Sequence, residues 1–298
     1  MTQVTADMVR KRPRFPMKSA LTTFGLLFAL LSWIDLPYYQ DLWTFQSLKK
    51  LGVKVFSKTD EAWNARWNGR IHSDIRLIMG NSSIRDEDLH HLGKISAITV
   101  ISLSGTQITD KGMEELKSLV YPDSLRALDL AGTKITGNGL AHLSEIKKLS
   151  ALDLSGTNIN DADLEHLVNM KSLELVSLEG TSISDRGLQH LMSLPNLKSL
   201  YLGGTNVTDE GLVVIAKMKQ LTDLSLAETA VTDAGLSQLI ADSMLEKIEL
   251  RQTRVTNALM EQLLELENLK ATSLKDTQFS QDDIDEIRRR RPDVMVLQ

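Results

Sequence analysis

The sequence predicts an α/β fold in which strand–turn–helix units stack into a curved, right-handed solenoid with a parallel sheet on its concave face. Three observations predict it. One threonine recurs at a fixed interval, apolar residues alternate just before it, and apolar residues at helical spacing follow it. A single unit of this kind cannot bury both of its apolar faces, so the units must stack to form a continuous core.

The recurring threonine sets the length of the unit. From Thr133 onward every step is 24 residues, and the step from Thr106 to Thr133 is 27 because of an insertion around Tyr121. Ser82 lies 24 residues before Thr106 and begins a degenerate copy. The aligned positions are Thr106, Thr133, Thr157, Thr181, Thr205, Thr229, Thr253 and Thr277. We expect the threonine hydroxyl to bond to backbone groups that the turn leaves unpaired.

Each unit contains the signals for one strand and one short helix. Leu152 and Leu154 alternate with polar residues, which predicts a strand. Thr208-Asp209 supplies a helix N-cap and an acidic first turn. Apolar residues then follow at helical spacing, as in Leu212, Ile215 and Met218.

The copies fit the pattern L-x-x-L-x-L-x-G-T-x-I-T/S-D-x-G-L-x-x-L-x-x-L, which resembles the leucine-rich repeat family. The cysteine-type variant is the most similar, with Thr where that type has Cys, and Thr-rich arrays of planctomycete-type bacterial proteins are similar too. The resemblance implies a leucine-rich-repeat solenoid over residues 80–279 that acts as a non-catalytic protein–protein interaction scaffold. Cysteine-type repeats also resemble the substrate-recognition arms of ubiquitin-ligase adaptors, whose soluble adaptor-binding domain is replaced here by an apolar segment.

The N-terminus reads as a membrane segment. Five basic residues lie between Arg10 and Lys18, and an uncharged run follows from Ser19 to Ile34. We expect a basic cytoplasmic tail over residues 1–18, a transmembrane signal-anchor helix over 19–39 that contacts lipid, and a periplasmic or extracellular repeat domain. The run spans about 24 Å as a helix, short of a bilayer core of about 30 Å. A cleaved leader, which would leave a secreted protein, and a soluble buried helix therefore stay open.

Atypical segments are expected at both ends of the array. Residues 45–79 read as an N-terminal cap with strands at Val53–Phe56 and Ile75–Met79, and residues 280–298 read as a C-terminal cap. In the latter we predict a helix over Ile284–Arg291, stopped by Pro292, with Val294, Val296 and Leu297 closing the core. The run Arg288–Arg291 suits a helix C-terminus better than a nucleic-acid or lipid patch.

Composition and motifs favour no enzyme class. The chain has no Cys and a net charge of −5, which argues against thiolate sites and nucleic-acid binding. No phosphate loop, H-E-x-x-H or G-x-S-x-G motif is present. A histidine column is expected to be solvated or half-buried and too widely spaced for a shared metal: His91, His142, His166 and His190. We therefore expect no cofactor and no metal.

The predicted partner surface is the concave strand face, where a protein or peptide would bind. Tyr201 is the natural anchor for a contact, and Asp129 and Asp153 lie in one register on adjacent strands. The aspartate pair is open to three interpretations: solvated surface carboxylates, a seat for a basic partner, or the paired carboxylates of a carbohydrate-active enzyme. The candidate partner-binding residues are Asp129, Asp153, Ser177, Glu179, Tyr201, Asp223, Ser225 and Glu249.

Overall fold

The computed structural model describes residues 54–56, 75–80, 82–94, 98–116, 122–240 and 244–297. The predicted tail over 1–18, the predicted membrane helix over 19–39 and most of the predicted cap over 45–79 lie outside these residues. Across the described ranges, every helix is too short or too polar to cross a membrane.

The described strands form one eleven-stranded sheet in chain order. The first two strands, Lys54–Phe56 and Ile75–Ile78, pair antiparallel, and every later strand is parallel to the one before it. Strands β1 to β11 are Lys54–Phe56, Ile75–Ile78, Ile98–Ser102, Ala127–Asp129, Ala151–Asp153, Leu175–Ser177, Ser199–Tyr201, Asp223–Ser225, Lys247–Glu249, Ala271–Ser273 and Met295–Leu297. The predicted solenoid with a parallel sheet is therefore confirmed.

Helical segments connect the strands. The α-helices are Asp110–Leu116, Gly137–Leu143, Leu188–Leu191, Asp209–Ile215, Asp233–Ile240, Met260–Glu265 and Gln281–Arg290. The 3₁₀ segments are Asp86–Lys94, Pro122–Ser124, Asp161–Leu167 and Asn257–Leu259. The predicted helix is thus replaced by 3₁₀ geometry in the two units that contain Asp86–Lys94 and Asp161–Leu167.

Leucine side chains of successive units form one continuous core. Leu152, Leu154 and Leu164 of a single unit are all fully buried, and the same cluster extends from Leu77 to Val296. Neighbouring units bury the leucines of each unit. Truncating any of these leucines to Ala should therefore lower the free energy of unfolding by about 2–5 kcal/mol.

The threonine column forms a ladder of hydrogen bonds inside each turn, as predicted. Each threonine hydroxyl donates to the carbonyl oxygen three residues earlier, at 2.5 to 2.6 Å in all eight copies. Ser82 makes the same contact with Met79 in the degenerate copy. The column is therefore structural, because it satisfies carbonyls at the strand-to-turn corner.

A second ladder joins one unit to the next, and the sequence pattern alone did not predict it. The carboxylate of Asp185 accepts the backbone N–H of Thr208 at 2.8 Å and its hydroxyl at 2.7 Å. The glycine of the T-D-x-G motif makes room for this carboxylate, since a Cβ on Gly211 would lie 2.3 Å from Asp185 Oδ1. The aspartate–hydroxyl pairs are Asp86–Thr109, Asp110–Thr136, Asp161–Ser184, Asp185–Thr208, Asp209–Thr232 and Asp233–Thr256.

The C-terminal end differs in part from its prediction. The last helix begins at Gln281, earlier than predicted, because Ser280 and Asp283 form a capping box. Val294 and Val296 are buried, but Leu297 is 52% exposed and does not close the core. Leu297 points away because side chains alternate along β11.

The arginine run at this end is engaged within the fold. Arg288, Arg289 and Arg290 pair with Asp285, Glu286 and Glu261. Arg291 donates to the carbonyl oxygens of Leu264 and Leu266, both at 3.0 Å. These contacts support the structural interpretation of the run.

Candidate partner-binding face

The sheet face is the surface formed by the outward side chains of β3 to β10 and by the second residue after each strand. Strand register aligns them in rows, since Ala151, Leu152 and Asp153 pair with Leu175, Val176 and Ser177. The first row is Val100, Ala127, Ala151, Leu175, Ser199, Asp223, Lys247 and Ala271; the middle row is Ser102, Asp129, Asp153, Ser177, Tyr201, Ser225, Glu249 and Ser273; the last row is Ser104, Ala131, Ser155, Glu179, Gly203, Ala227, Arg251 and Lys275.

Several predicted site residues are buried or half-buried, whereas solvated surface side chains are exposed. Asp129 is 1% exposed, Asp153 6% and Ser225 1%, whereas Glu179, Tyr201 and Glu249 are half-buried. Strands lie about 4.8 Å apart, so side chains on both neighbouring strands cover a short side chain between them. The interpretation of Asp129 and Asp153 as solvated surface carboxylates is therefore corrected.

The two aspartates are adjacent as predicted, and both accept hydrogen bonds from the turn that follows their own strand, while Asp129 also accepts one from β3. Asp129 Oδ1 accepts the N–H of Ala131 at 3.1 Å, and Oδ2 accepts the hydroxyl of Ser102 at 2.7 Å. Asp153 Oδ1 accepts both the N–H and the hydroxyl of Ser155, at 3.0 and 2.6 Å. These bonds order the carboxylates as parts of the turn that ends each strand.

Glu179 is the predicted site residue with the most unusual surroundings. Its side chain crosses the space left by Gly203, where a Cβ would lie 3.1 Å from Glu179 Oε1. It thereby reaches Ser225, two strands away, whose hydroxyl lies 3.4 Å from Glu179 Oε1 and 3.2 Å from Glu249 Oε2. Two carboxylates from β6 and β9 thus converge on one hydroxyl.

The pKa of Glu179 is raised above its ordinary value. Burial is the main cause, and the negative charges of Glu249 and Asp153 add to it. The hydroxyl of Ser225 and the charge of Arg251 oppose the rise in pKa only in part. The ionised form of Glu179 is therefore short of compensating positive charge.

Arg251 was outside the predicted site, but it borders this cluster. Its guanidinium donates to Glu228 at 2.7 Å and to Gln252 at 3.1 Å, and lies 3.6 Å from Glu249. Glu228 and Gln252 hold φ values of 58° and 54°, where the preceding units place glycine. In these two units the glycine before the repeat threonine is replaced, which gives Glu228-Thr229 and Gln252-Thr253. This replacement was the sequence signal that could have pointed to the cluster around Arg251.

The rest of the face changes character along the array. Val100, Ala127, Ala151 and Leu175 form a small apolar cluster against which Tyr201 packs. Asp223 lies 3.1 Å from Lys247 Nζ and accepts the hydroxyl of Thr222 at 2.7 Å. From β4 to β8 the three rows contain acidic residues and no Lys or Arg, whereas β9 brings Lys247 and Arg251.

Metal binding has no support within the described part of the chain, where no group of three or more His, Asp or Glu is placed to hold an ion. The predicted histidine column is half-buried at all four positions: His91, His142, His166 and His190.

Comparison with protein families identifies the repeat in four segments of the chain. Residues 97–117, 123–144, 146–168 and 193–216 match the family described as Leucine Rich repeat. Internalin C2 from Listeria monocytogenes is 24% identical with a TM-score of 0.50, over 72% of this chain and 84% of that one. A leucine-rich-repeat protein from Leptospira interrogans is 19% identical with a TM-score of 0.37, over 70% and 68% of the two chains. No curated protein matches the chain.

Proposed function

We propose that this chain, whose repeats are leucine-rich repeats, is a non-catalytic recognition scaffold that binds a protein or peptide partner across its sheet face. Leucine-rich-repeat proteins are typically interaction modules without enzyme activity. The observation that carries the proposal is the sheet face itself, on which eight strands in one register present aligned rows of side chains. At the usual strand spacing those strands cover about 40 Å, enough for a specific interface.

Tyr201 is the anchor we assign to this interface. It is half-buried at the junction of the apolar cluster and the acidic strands, so a partner there would meet both kinds of surface. Aromatic side chains near the centre of an interface carry a large share of binding energy.

The test uses a photo-crosslinking residue in place of Tyr201, with the same residue in place of Val213 as a matched control. Val213 is 43% exposed on the helix Asp209–Ile215, away from the sheet face. In cells that produce the chain naturally, irradiation is expected to yield a covalent adduct with another protein from the Tyr201 position and not from Val213. Adducts from Val213 alone would overturn the proposal.

A second part of the proposal concerns location. The basic residues before Ser19 and the uncharged run to Ile34 support a single membrane helix over residues 19–39, with the repeats exported. Release of the repeats by protease added outside intact cells, together with a retained N-terminal fragment in the membrane fraction, is the expected result. Full-length chain in the soluble cytosol would contradict it, and a shortened chain in the medium would indicate a cleaved leader.

The alternative functions gain less support. A ligase adaptor would need a soluble adaptor-binding domain before the repeats, where the sequence has the uncharged run from Ser19 to Ile34. A carbohydrate-active enzyme would need Asp129 or Asp153 free to transfer a proton, whereas both accept hydrogen bonds at the turns. Unchanged glycoside hydrolysis after Asp129→Asn and Asp153→Asn together would remove this alternative.

A further inference from the structure

We propose that the partner presents a basic segment to the sheet face, with one lysine or arginine side chain seated between Glu179 and Glu249 beside Tyr201. This inference rests on the proposed function and names the chemistry of the partner. It starts from the convergence of two carboxylates on the hydroxyl of Ser225.

The single proton of Ser225 cannot serve both carboxylates. A hydroxyl has one donor, so either Glu179 or Glu249 lacks that hydrogen bond at any moment. A lysine ammonium has three donors and a guanidinium has five, and either would satisfy both acceptors and neutralise their charge.

The two cations that β9 contributes to this face, Arg251 and Lys247, are each shared with another carboxylate. Arg251 donates to Glu228 at 2.7 Å, while its distance from Glu249 is 3.6 Å. Lys247 is paired with Asp223 at 3.1 Å. An external cation would add charge compensation at Glu179, which lies three strands from Arg251 in the same row and two rows from the Lys247–Asp223 pair.

Ser199 is a buried polar side chain on the strand that carries Tyr201. It is fully buried in the first row, next to Asp223 in register and two residues before Tyr201 on the same face. Its hydroxyl oxygen has no hydrogen-bond partner among the described residues. Buried hydroxyls left unpaired cost free energy, so Ser199 is a local cost to the fold beside Tyr201.

Tyr201 fits the same ligand chemistry. An aromatic ring attracts an ammonium or guanidinium over its face, and this attraction adds to the pull of the flanking carboxylates. The adjoining apolar cluster, from Val100 to Leu175, would receive the aliphatic part of such a segment.

The test measures binding of fluorescein-labelled octalysine and octaarginine to the full chain by fluorescence anisotropy, with octaglutamate as the negative probe. Glu179→Gln and Glu249→Gln are each expected to weaken binding about tenfold, because a charge-assisted contact is lost. Glu145→Gln, an exposed carboxylate outside the face, is the matched control for net charge and is expected to change the Kd less than about twofold.

A second pair of variants tests the role of the Tyr201 ring without changing the net charge. Tyr201→Phe retains the ring and should bind nearly as the unchanged chain does, whereas Tyr201→Leu should bind about fivefold more weakly. Equal effects of all three Glu→Gln variants, equal binding by the two Tyr201 variants, or absence of binding to both basic probes would overturn the inference. The proposed function would still stand if the crosslink from the Tyr201 position were formed.

Discussion

At the residue scale, Thr253 and Thr272 differ in whether the side-chain hydroxyl has a hydrogen-bond partner. Thr253 donates to the carbonyl of Leu250 at 2.6 Å, as the repeat requires. Thr272 takes the core position that leucine, isoleucine or valine holds in other units, and its buried hydroxyl has no partner among the described residues. The first hydroxyl stabilises the turn, and the second costs free energy.

We expect Thr272→Val to raise the free energy of unfolding by about 1 kcal/mol, because the shape is kept and an unpaired polar group is removed. Thr253→Val is the matched control and should lower it by about 1 kcal/mol. Urea denaturation of both variants measures the difference. A loss of stability for Thr272→Val equal to that of Thr253→Val would contradict this account.

A second residue-scale feature is an exchange of side chains between neighbouring units. The T-D-x-G motif has Gly137 in place of its aspartate, and the next unit has Asp163 in place of its glycine. A Cβ on Gly137 would lie 1.9 Å from Asp163 Oδ1. Asp163 thus fills the space that the missing carboxylate leaves, and accepts the N–H of Asn160 at 2.9 Å.

A double-mutant cycle tests this compensation. Gly137→Asp alone should destabilise the fold by about 1–3 kcal/mol through overpacking. Adding Asp163→Gly should recover at least about 1 kcal/mol, because the carboxylate then has room. Strictly additive effects of the two substitutions on the free energy of unfolding would rule the compensation out.

Glu179 makes a prediction about pH. Its folded-state pKa is raised, mainly by burial and then by Glu249 and Asp153, so folding favours the protonated form. Its favourable contribution is present below the unfolded pKa and is lost as pH rises through the folded pKa. Glu179→Gln should therefore raise the melting temperature at pH 7, and the gain should vanish near pH 4. A lower melting temperature at pH 7 would show that the ionised carboxylate is stabilising.

At the scale of elements, the units are joined by aspartate side chains as well as by leucines. Sequence patterning located the strands, the threonine ladder and the acidic first turns, because each depends on local spacing. It did not show that Asp185 bonds to Thr208 of the next unit, since that contact depends on how two helix starts stack. The 3₁₀ segment Asp161–Leu167 lies in the unit where Asp163 replaces the motif glycine.

Asp185→Ala should lower the free energy of unfolding by about 2 kcal/mol, because two hydrogen bonds to a carboxylate are lost. Glu210→Ala is the control, since Glu210 is an exposed acidic residue in the first turn of the same helix that Thr208 caps. Removing the Glu210 carboxylate affects only its interaction with the helix dipole. The fall in the free energy of unfolding should therefore be smaller than for Asp185→Ala. Urea denaturation that ranks the two variants in the opposite order would show that the ladder contributes little.

At the scale of the whole molecule, the sequence predicted the fold well and the side-chain arrangement of the sheet face only in outline. The repeat fixed the register, so the rows containing Asp129, Asp153 and Tyr201 lie where they were expected. Burial of Asp129 and the reach of Glu179 to Ser225 were not predictable, because both depend on side chains one or two strands away. A glycine such as Gly203 leaves space for a longer neighbouring side chain, but the sequence does not show which side chain will occupy it.

Affinity for the purified crosslinked partner tests most directly whether the sheet face is the binding surface. Isothermal titration calorimetry would compare Tyr201→Ala with Val213→Ala, after circular dichroism has shown both to be folded. We expect the Kd to rise at least tenfold for Tyr201→Ala and less than about twofold for Val213→Ala. Unchanged affinity for Tyr201→Ala, or a larger loss for Val213→Ala, would contradict binding across the sheet face.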